Sequence, residues 1–205
     1  MLPLRNKTPK RRIILTEVSH WKFHKPNLRV DFNCRCGYCD SFDGFRHTYY
    51  QVDHFIPKIF FKQFGNIGLN QYSNLVYTCF FCNNNKSSKW PSNNESIFHN
   101  GKEGFIDPCG DEYDTHFYRT TEGAIMWATE LGRWMYKEAF KFDERERGIK
   151  LLWNLEKLRL LIIDLSVELN KMQEGSVEFI ELDNKMKNYS YTYFQYHNEL
   201  IEFYG

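Results

Sequence analysis

The 205-residue sequence has no long apolar run, and its longest run of branched apolar residues is Leu160–Ile163. A helix that crosses a bilayer needs about 20 apolar residues, so no segment is expected to span a membrane. No apolar signal-peptide core follows the basic start of the chain, and we therefore expect a cytoplasmic protein. Disulfides are rare in the cytosol, so the six cysteines are expected to hold metal rather than to cross-link the chain.

The sequence also lacks a strong net charge, which is only +1, but its two halves differ in sign. Residues 1–90 hold 14 Lys and Arg against 5 Asp and Glu, whereas residues 91–205 hold 13 against 21. This asymmetry predicts that the first half meets a polyanion, although solvated surfaces alone would produce the same pattern. The basic residues of 1–12 are expected either to lie on a phosphate backbone or to form a flexible tail.

Two C-x2-C pairs bracket the most informative stretch of the chain. The pairs are Cys36 with Cys39 and Cys79 with Cys82. Four cysteines at this spacing predict a closed structural zinc site, because four thiolates leave no open position for a catalytic water. The two remaining cysteines, Cys34 and Cys109, are interpreted as free thiols.

Polar residues with hydrolytic chemistry lie between and beside these pairs. Hydrolysis of a phosphodiester needs a base for the water and a cation for the developing charge. His54 has an unperturbed pKa of about 6.5, and the oxygens of Asp53 and Asn83 suit Mg2+ or Mn2+. Neighbours on a strand point to opposite faces, so the strand must end or bulge near Asp53 for both to serve one site, which Pro57 favours. The alternative is an ordinary hydrogen-bonded Asp-His pair.

The local pattern around these residues predicts two strands and a helix. The strands are expected over 48–54 and 74–78, and the helix begins within 79–83 and carries Lys86 and Lys89. Gly37 is expected to let the backbone turn around the zinc ion.

Upstream, a helix over 13–23 and a short element over 27–33 are expected, with Pro26 dividing them. Residues 91–114 are rich in Asn, Gly, Ser and Pro, which predicts a linker or an irregular wrap.

The C-terminal half is expected to be a small helical bundle. Its predicted helices cover 124–142, 151–172, 176–188 and 191–203. Apolar residues recur in alternating steps of four and three from Leu151 to Met172, which is a heptad seam. Gly175 is expected to stop this helix and Ser176 to cap the next one. The seam is expected to pack inside its own bundle, or alternatively to bind a partner protein or a second copy of the chain.

The segments C-G-Y-C, V-D-H-F-I-P-K and N-L-V-Y-T-C-F-F-C-N-N-N-K, within about residues 31–90, resemble the HNH endonuclease superfamily. The resemblance implies a zinc-stapled ββα-metal core in an α+β protein that cleaves DNA with Mg2+ or Mn2+, leaving 5′-phosphate and 3′-hydroxyl ends. It makes His54 the general base, Asn74 the brace of its loop, and Asn83 a metal ligand alongside Asp53. Asn83 stands where many members have His, which bears on the strength and metal preference of the site.

The resulting division is a basic segment over 1–30, a nuclease core over 31–95, and a linker with helical bundle over 96–205. The motif D-H-F-x-P-K, a downstream F-I-D-P and the helical C-terminal half are similar to HNH effectors of anti-phage systems, including the Septu type. Restriction-associated and phage-borne HNH enzymes are the alternatives to this group. The anti-phage similarity implies an ATPase or another defence protein as partner, and the helical half is the surface through which a homodimer would form.

Four further residues are expected to bind the nucleic acid: Lys58, Lys86, Lys89 and Trp90. The alternative places the lysines on a solvated surface and Trp90 in the core. A competing interpretation of the whole chain is a zinc-knuckle module that grips nucleic acid or protein without cutting.

Overall fold

The computed structural model describes residues 1–13, 18–65 and 67–204. They form two compact units, Met1–Arg145 and Glu146–Gly205. The first unit mixes helices with strands, and the described part of the second is helical, so the predicted α+β class is confirmed. The boundary between the units lies well beyond residue 95, where the sequence suggested that the core ends.

The first unit contains five strands, four α-helices and several shorter helical turns within its described residues. The strands are β1 (Leu2–Pro3), β2 (Tyr50–His54), β3 (Leu75–Cys79), β4 (Phe117–Arg119) and β5 (Ile125–Trp127). The α-helices are α1 (Lys25–Asp31), α2 (Phe61–Phe64), α3 (Phe80–Lys86) and α4 (Glu130–Trp134). The 3-10 turns are Trp21–His24, Asp43–Phe45, Lys58–Phe60, Tyr72–Asn74, Tyr113–His116 and Phe142–Glu144, and Met135–Ala139 is a π-helical turn.

The antiparallel hairpin β2–β3 and the helix α3 that follows it give the predicted ββα order. Tyr50 pairs with Cys79 and His54 with Leu75. One strand register therefore fixes the relative positions of the motif residues at both ends of the hairpin. Aromatic and β-branched residues on these strands are buried, as suits a pleated surface. Helix α3 ends at Lys86 because Ser87 takes a positive φ of 49°. Lys89 therefore lies beyond the helix, contrary to the prediction.

Pro26 marks a boundary between two elements, as predicted, because the 3-10 turn Trp21–His24 gives way there to α1. It occupies the first turn of α1, where the missing N–H of proline leaves no hydrogen bond unmade. The 3-10 turn at Trp21–His24 runs straight into this helix. Of the helix predicted over 13–23, residues 14–17 lie outside the described part of the chain, and residues 18–20 are not helical.

The basic N-terminal segment is held by acidic residues of its own unit. Arg5, which is 6% exposed, forms an ion pair of 2.7 Å with Asp114. Arg11 likewise contacts Asp107 at 2.8 Å, and Arg12 forms a 2.6 Å ion pair with an acidic side chain of α1. The three arginines are thus paired with carboxylates of the same unit, which was neither of the two arrangements expected for this segment.

The helix predicted over 124–142 is wrong in its first part. Ile125–Trp127 is strand β5, which pairs with β4, and β4 in turn pairs with β1. Gly123, at a φ of +84°, makes the tight turn between β4 and β5. The helical part begins only after Thr129, whose hydroxyl accepts a hydrogen bond of 3.0 Å from the backbone N–H of Gly132.

The segment predicted as a linker, 91–114, is irregular in its described backbone but belongs to the core of the first unit. Phe105 is fully buried. Its ring stacks on that of Trp90, with centroids 5.9 Å apart and an interplanar angle of 5°. This burial explains why the first unit continues far past residue 95.

The second unit is a hairpin of two helices, α5 (Arg147–Leu169) and α6 (Val177–Tyr204), which pack against each other. Ser176 caps α6, accepting a hydrogen bond of 3.1 Å from the N–H of Phe179, and Gly175 precedes it with a φ of +84°. The two helices predicted over 176–188 and 191–203 are one, because no proline or glycine interrupts the sequence between them. The small bundle predicted here is thus a two-helix hairpin.

Among the described residues, none of the helices combines the length and the apolar character needed to cross a membrane.

Candidate metal centre and hydrolytic groove

The four paired cysteines converge at one end of the hairpin, although 40 positions separate Cys39 from Cys79. Their sulfur atoms all lie within 4.8 Å of one another, and all four residues are buried. The Sγ atoms of Cys39 and Cys79 are 3.8 Å apart. Four sulfurs about 2.3 Å from one zinc ion would be separated by about 3.8 Å in a tetrahedron. The cluster therefore fits a four-thiolate zinc site, as the sequence predicted.

The two other cysteines stand apart from this cluster. Cys34 and Cys109 are half-buried and form no disulfide. Burial raises the pKa of the Cys109 thiol to about 11, so this side chain is protonated at neutral pH. Both therefore keep the free-thiol state predicted for them.

Gly37 supports the cluster through its small size and not through an unusual backbone angle. A Cβ atom at this position would meet Phe32 at 2.6 Å and Val76 at 2.8 Å, both inside the core. The N–H of Gly37 donates a hydrogen bond of 2.8 Å to the carbonyl of Tyr77, which joins the cysteine loop to β3. Gly37 does lie in a turn, as expected, but glycine is needed there for close approach and not for a positive φ.

A cation contacts the cysteine cluster directly. The guanidinium of Arg145 donates a hydrogen bond of 3.2 Å to the Sγ atom of Cys79. The same group lies over the ring of Phe81, 4.8 Å from its centroid. A zinc ion with four thiolates carries a net charge of about −2, so a nearby guanidinium compensates part of the buried negative charge.

His54 lies at the end of β2 and lines an open groove with a volume of about 690 Å3. Its Nε2 lies 2.9 Å from the carbonyl oxygen of Leu69. A carbonyl only accepts hydrogen bonds, so Nε2 carries the proton and Nδ1 of the neutral ring is the acceptor. Burial lowers the pKa of His54 below its ordinary value of 6.5, against the opposing hydrogen bond to Leu69. At neutral pH the groove is thus bordered by an uncharged imidazole with one fixed tautomer, and this residue is largely buried, with 4% of its surface exposed.

Asp53 lines the same groove but is held by two buried partners. Its Oδ2 atom accepts a hydrogen bond of 2.6 Å from the hydroxyl of Tyr38. The same atom forms an ion pair of 2.9 Å with the Nζ atom of Lys86. A metal bound by Asp53 would therefore use Oδ1 or compete with the ammonium for Oδ2.

Asn83, on α3, also lines the groove. Its amide nitrogen donates a short hydrogen bond to the side-chain oxygen of Gln51 on β2. This bond engages Nδ2, so Oδ1 is the atom that can act as a ligand for a hard cation. The structure thus brings Asp53, His54 and Asn83 to one groove, as the sequence analysis required.

Asn74 lies behind the groove and holds the chain that follows β2. Its side chain accepts a 2.8 Å hydrogen bond from the N–H of Ile56 and donates a 3.1 Å bond to the carbonyl of the same residue. The carbonyl of Asn74 accepts a further bond of 2.8 Å from the N–H of Phe55. This is the bracing position that the resemblance implies for the middle Asn.

Of the four residues predicted to contact nucleic acid, only Lys58 is exposed in the groove. Lys86 has no exposed surface, because its ammonium is enclosed by Asp53 and by the carbonyl of His54 at 2.9 Å. Trp90 is 4% exposed and packs in the core, where its Nε1–H donates a hydrogen bond to the carbonyl of Asn94. Lys89 is half-buried and donates a short hydrogen bond to the carbonyl of Asn85. The burial of Lys86 contradicts both its predicted contact with nucleic acid and the alternative of a solvated surface. The burial of Trp90 contradicts its predicted contact with nucleic acid and agrees with the alternative that placed it in the core.

The sequence analysis missed one wall of the groove. Trp21, Lys22 and Lys25 line it beside His54. The ring of Trp21 packs edge-on against His54, with centroids 5.1 Å apart and an interplanar angle of 75°. The interleaved basic and aromatic residues in W-K-F-H-K are the signal that would have indicated this wall.

The ββα unit thus carries a cysteine cluster at one end, and an imidazole, a carboxylate and an amide in one groove. Residues 36–89, about a quarter of the chain, match the family model described as HNH endonuclease. The matched range includes the four clustered cysteines and the groove residues of β2 and α3. Searches of curated proteins and of solved structures found no match to this chain.

Proposed function

We propose that this protein is an endonuclease that hydrolyses DNA phosphodiester bonds with His54 as the general base. The observation that carries the proposal is the fixed tautomer of His54 in an open groove. Nε2 of the neutral ring donates a hydrogen bond to the carbonyl of Leu69, so Nδ1 is the nitrogen that can accept a proton. An imidazole in this state takes a proton from an attacking water at neutral pH.

In the proposed site, Asp53 and Asn83 hold one Mg2+ or Mn2+ ion through their side-chain oxygens. A bound divalent cation supplies compensation for the negative charge that develops on the phosphate and on the leaving oxygen. Gln51 orients Asn83, and Tyr38 orients Asp53, through the hydrogen bonds described above. Asn74 fixes the chain after β2 and so keeps the imidazole in place.

The four-thiolate site is assigned to structural zinc in this proposal. It joins the loop before β2 to the junction of β3 and α3. Zinc there would stabilise the frame on which the groove is built, because the binding free energy of a structural metal is also folding free energy.

The test is cleavage of supercoiled plasmid with Mg2+ or Mn2+ by the native protein and by His54→Ala. His99→Ala, at an exposed histidine outside the groove, is the matched control. We expect nicked or linear plasmid with the native protein and with His99→Ala, and none with His54→Ala. Circular dichroism and zinc content must stay unchanged in all three proteins.

A second candidate, a nucleic-acid-binding module that does not cut, is favoured by one observation. Asp53 already has a buried cationic partner, Lys86, so its charge is compensated without a metal. Under this alternative the intact, zinc-loaded native protein binds DNA but leaves the plasmid uncut with either metal. That result, obtained both with the protein alone and with its candidate partner present, would refute the endonuclease proposal.

From the resemblance of its motifs we further propose a role in anti-phage defence, with an ATPase or another defence protein as partner. Cells that carry the native gene with its neighbours should reduce the plating efficiency of phages, and the His54→Ala form should not. Equal plating with both forms would contradict this role.

A further inference from the structure

The wall of the groove formed by Trp21, Lys22 and Lys58 has the properties of a phosphate-binding site. The Nζ atoms of Lys22 and Lys58 lie 5.3 Å and 5.2 Å from the centroid of the Trp21 ring. The ring itself contacts His54. The Trp21 ring thus contacts two ammonium groups and the imidazole of His54 at the same time. Trp21 and Lys22 lie outside the range that matches the HNH endonuclease family.

The charges that line the groove favour an anionic ligand. Three exposed lysines, Lys22, Lys25 and Lys58, face one carboxylate, that of Asp53, which is paired with Lys86. Within the described ranges 1–13, 18–65 and 67–204, none of these three lysines forms an ion pair with an acidic side chain. Among the described residues, no acidic side chain therefore compensates the charges of these lysines.

The ring contacts favour a phosphate over a stacked base as the ligand of this wall. Base stacking needs an open aromatic face. Around Trp21, the ring of His20 is tilted by 32° at a centroid distance of 5.0 Å, and the two ammonium groups lie over the ring. Attraction between the ring and the cations also restricts the long lysine side chains before a ligand arrives.

We propose that Trp21 holds Lys22 and Lys58 as a clamp for the phosphate backbone of the nucleic acid, next to the base His54. This inference rests on the proposed nuclease function. It adds the residues that would position the nucleic-acid strand beside the base. A clamp of this kind reads the backbone and not the bases, so its contribution to affinity is the same for all sequences.

The experiment is equilibrium binding of fluorescent duplexes of two unrelated sequences over a range of KCl concentrations, without added divalent metal. Each phosphate neutralised by a lysine contributes about 0.9 to the slope of log K against log salt. We expect Lys22→Ala and Lys58→Ala each to reduce the slope by about 0.9, equally for both duplexes. Lys102→Ala, at an exposed position outside the groove, should leave it unchanged.

Trp21→Ala and Trp21→Phe test the role of the ring. We expect Trp21→Ala to weaken binding while the slope changes little, because the lysines remain but are no longer ordered. Trp21→Phe keeps an aromatic face and should restore most of the affinity. If Trp21→Ala does not fold, the two lysine variants alone still decide the question.

The clamp is refuted if both lysine variants keep the native slope and affinity, or if the loss depends on base sequence. Failure of the nuclease proposal would look different. The native protein would then bind with the predicted slopes and still leave plasmid intact with Mg2+ or Mn2+.

Discussion

Replacing Lys86 should destabilise the first unit strongly, although a lysine at a helix end is normally an exposed residue. Lys86 has no exposed surface. Its ammonium contacts Asp53 at 2.9 Å and the carbonyl of His54 at 2.9 Å, and it lies 5.5 Å from the ring centroid of Phe105. Removing one partner of a buried ion pair leaves the other charge uncompensated, which costs about 3–5 kcal/mol.

For a unit of this size, each kcal/mol lowers the melting temperature by about 2–4 °C. Lys86→Ala should therefore lower it by about 6–20 °C. The assay is thermal and urea unfolding of zinc-loaded protein, followed by tryptophan fluorescence, with Lys58→Ala as the exposed control. Asp53→Asn combined with Lys86→Met should recover part of the loss, because neither charge of the pair then remains buried.

The reasoning is refuted if Lys86→Ala melts within about 2 °C of the native protein, which corresponds to no more than about 1 kcal/mol. A simultaneous loss of DNA affinity with a smaller salt slope would restore the original interpretation of Lys86 as a phosphate ligand.

Three further predictions concern the metal centre and the base. Cys79→Ser should lose zinc and unfold the first unit, as measured by metal analysis and circular dichroism, and a folded, active variant would overturn the zinc assignment. Arg145→Ala should release zinc to a colorimetric chelator faster than native protein does, because the hydrogen bond to the Cys79 sulfur is lost; an equal rate would show that the guanidinium is dispensable. Because burial lowers the pKa of His54, protonating this base takes a more acidic solution than protonating an ordinary histidine. The kcat/KM of the enzyme should therefore fall as pH drops through a midpoint below 6.5, and a midpoint above 6.5 would contradict this.

The parts of the site that the sequence predicted are those set by short spacing. A C-x2-C pair places two thiolates on one loop or helix start wherever it occurs, and the strands between the pairs have β-forming residues. The order of strand, strand and helix follows from these local signals. The approach of Cys39 to Cys79 was predictable for a different reason, because a structural zinc ion needs four ligands.

What the sequence could not predict depends on contacts between distant residues. Ile125–Trp127 is a strand because Phe117–Arg119 pairs with it, and β4 is itself paired with β1, far away in the sequence. The burial of Trp90 depends on Phe105 folding back from a segment that has the composition of a linker. Spacing along the chain contains no information about either pairing.

Lys86 depends both on local spacing and on a contact between residues that are distant in the sequence. Its position four residues after Cys82 follows from the motif, but its role depends on the carboxylate that it meets in the folded unit. Tyr38 and Lys86 both engage Oδ2 of Asp53, so they fix the orientation of the carboxylate before any cation arrives. A ligand that is already oriented loses less conformational freedom on binding. In the proposed site, the buried lysine would therefore orient Asp53 for a metal, and the exposed lysines of the groove wall would be the residues that contact the phosphate backbone.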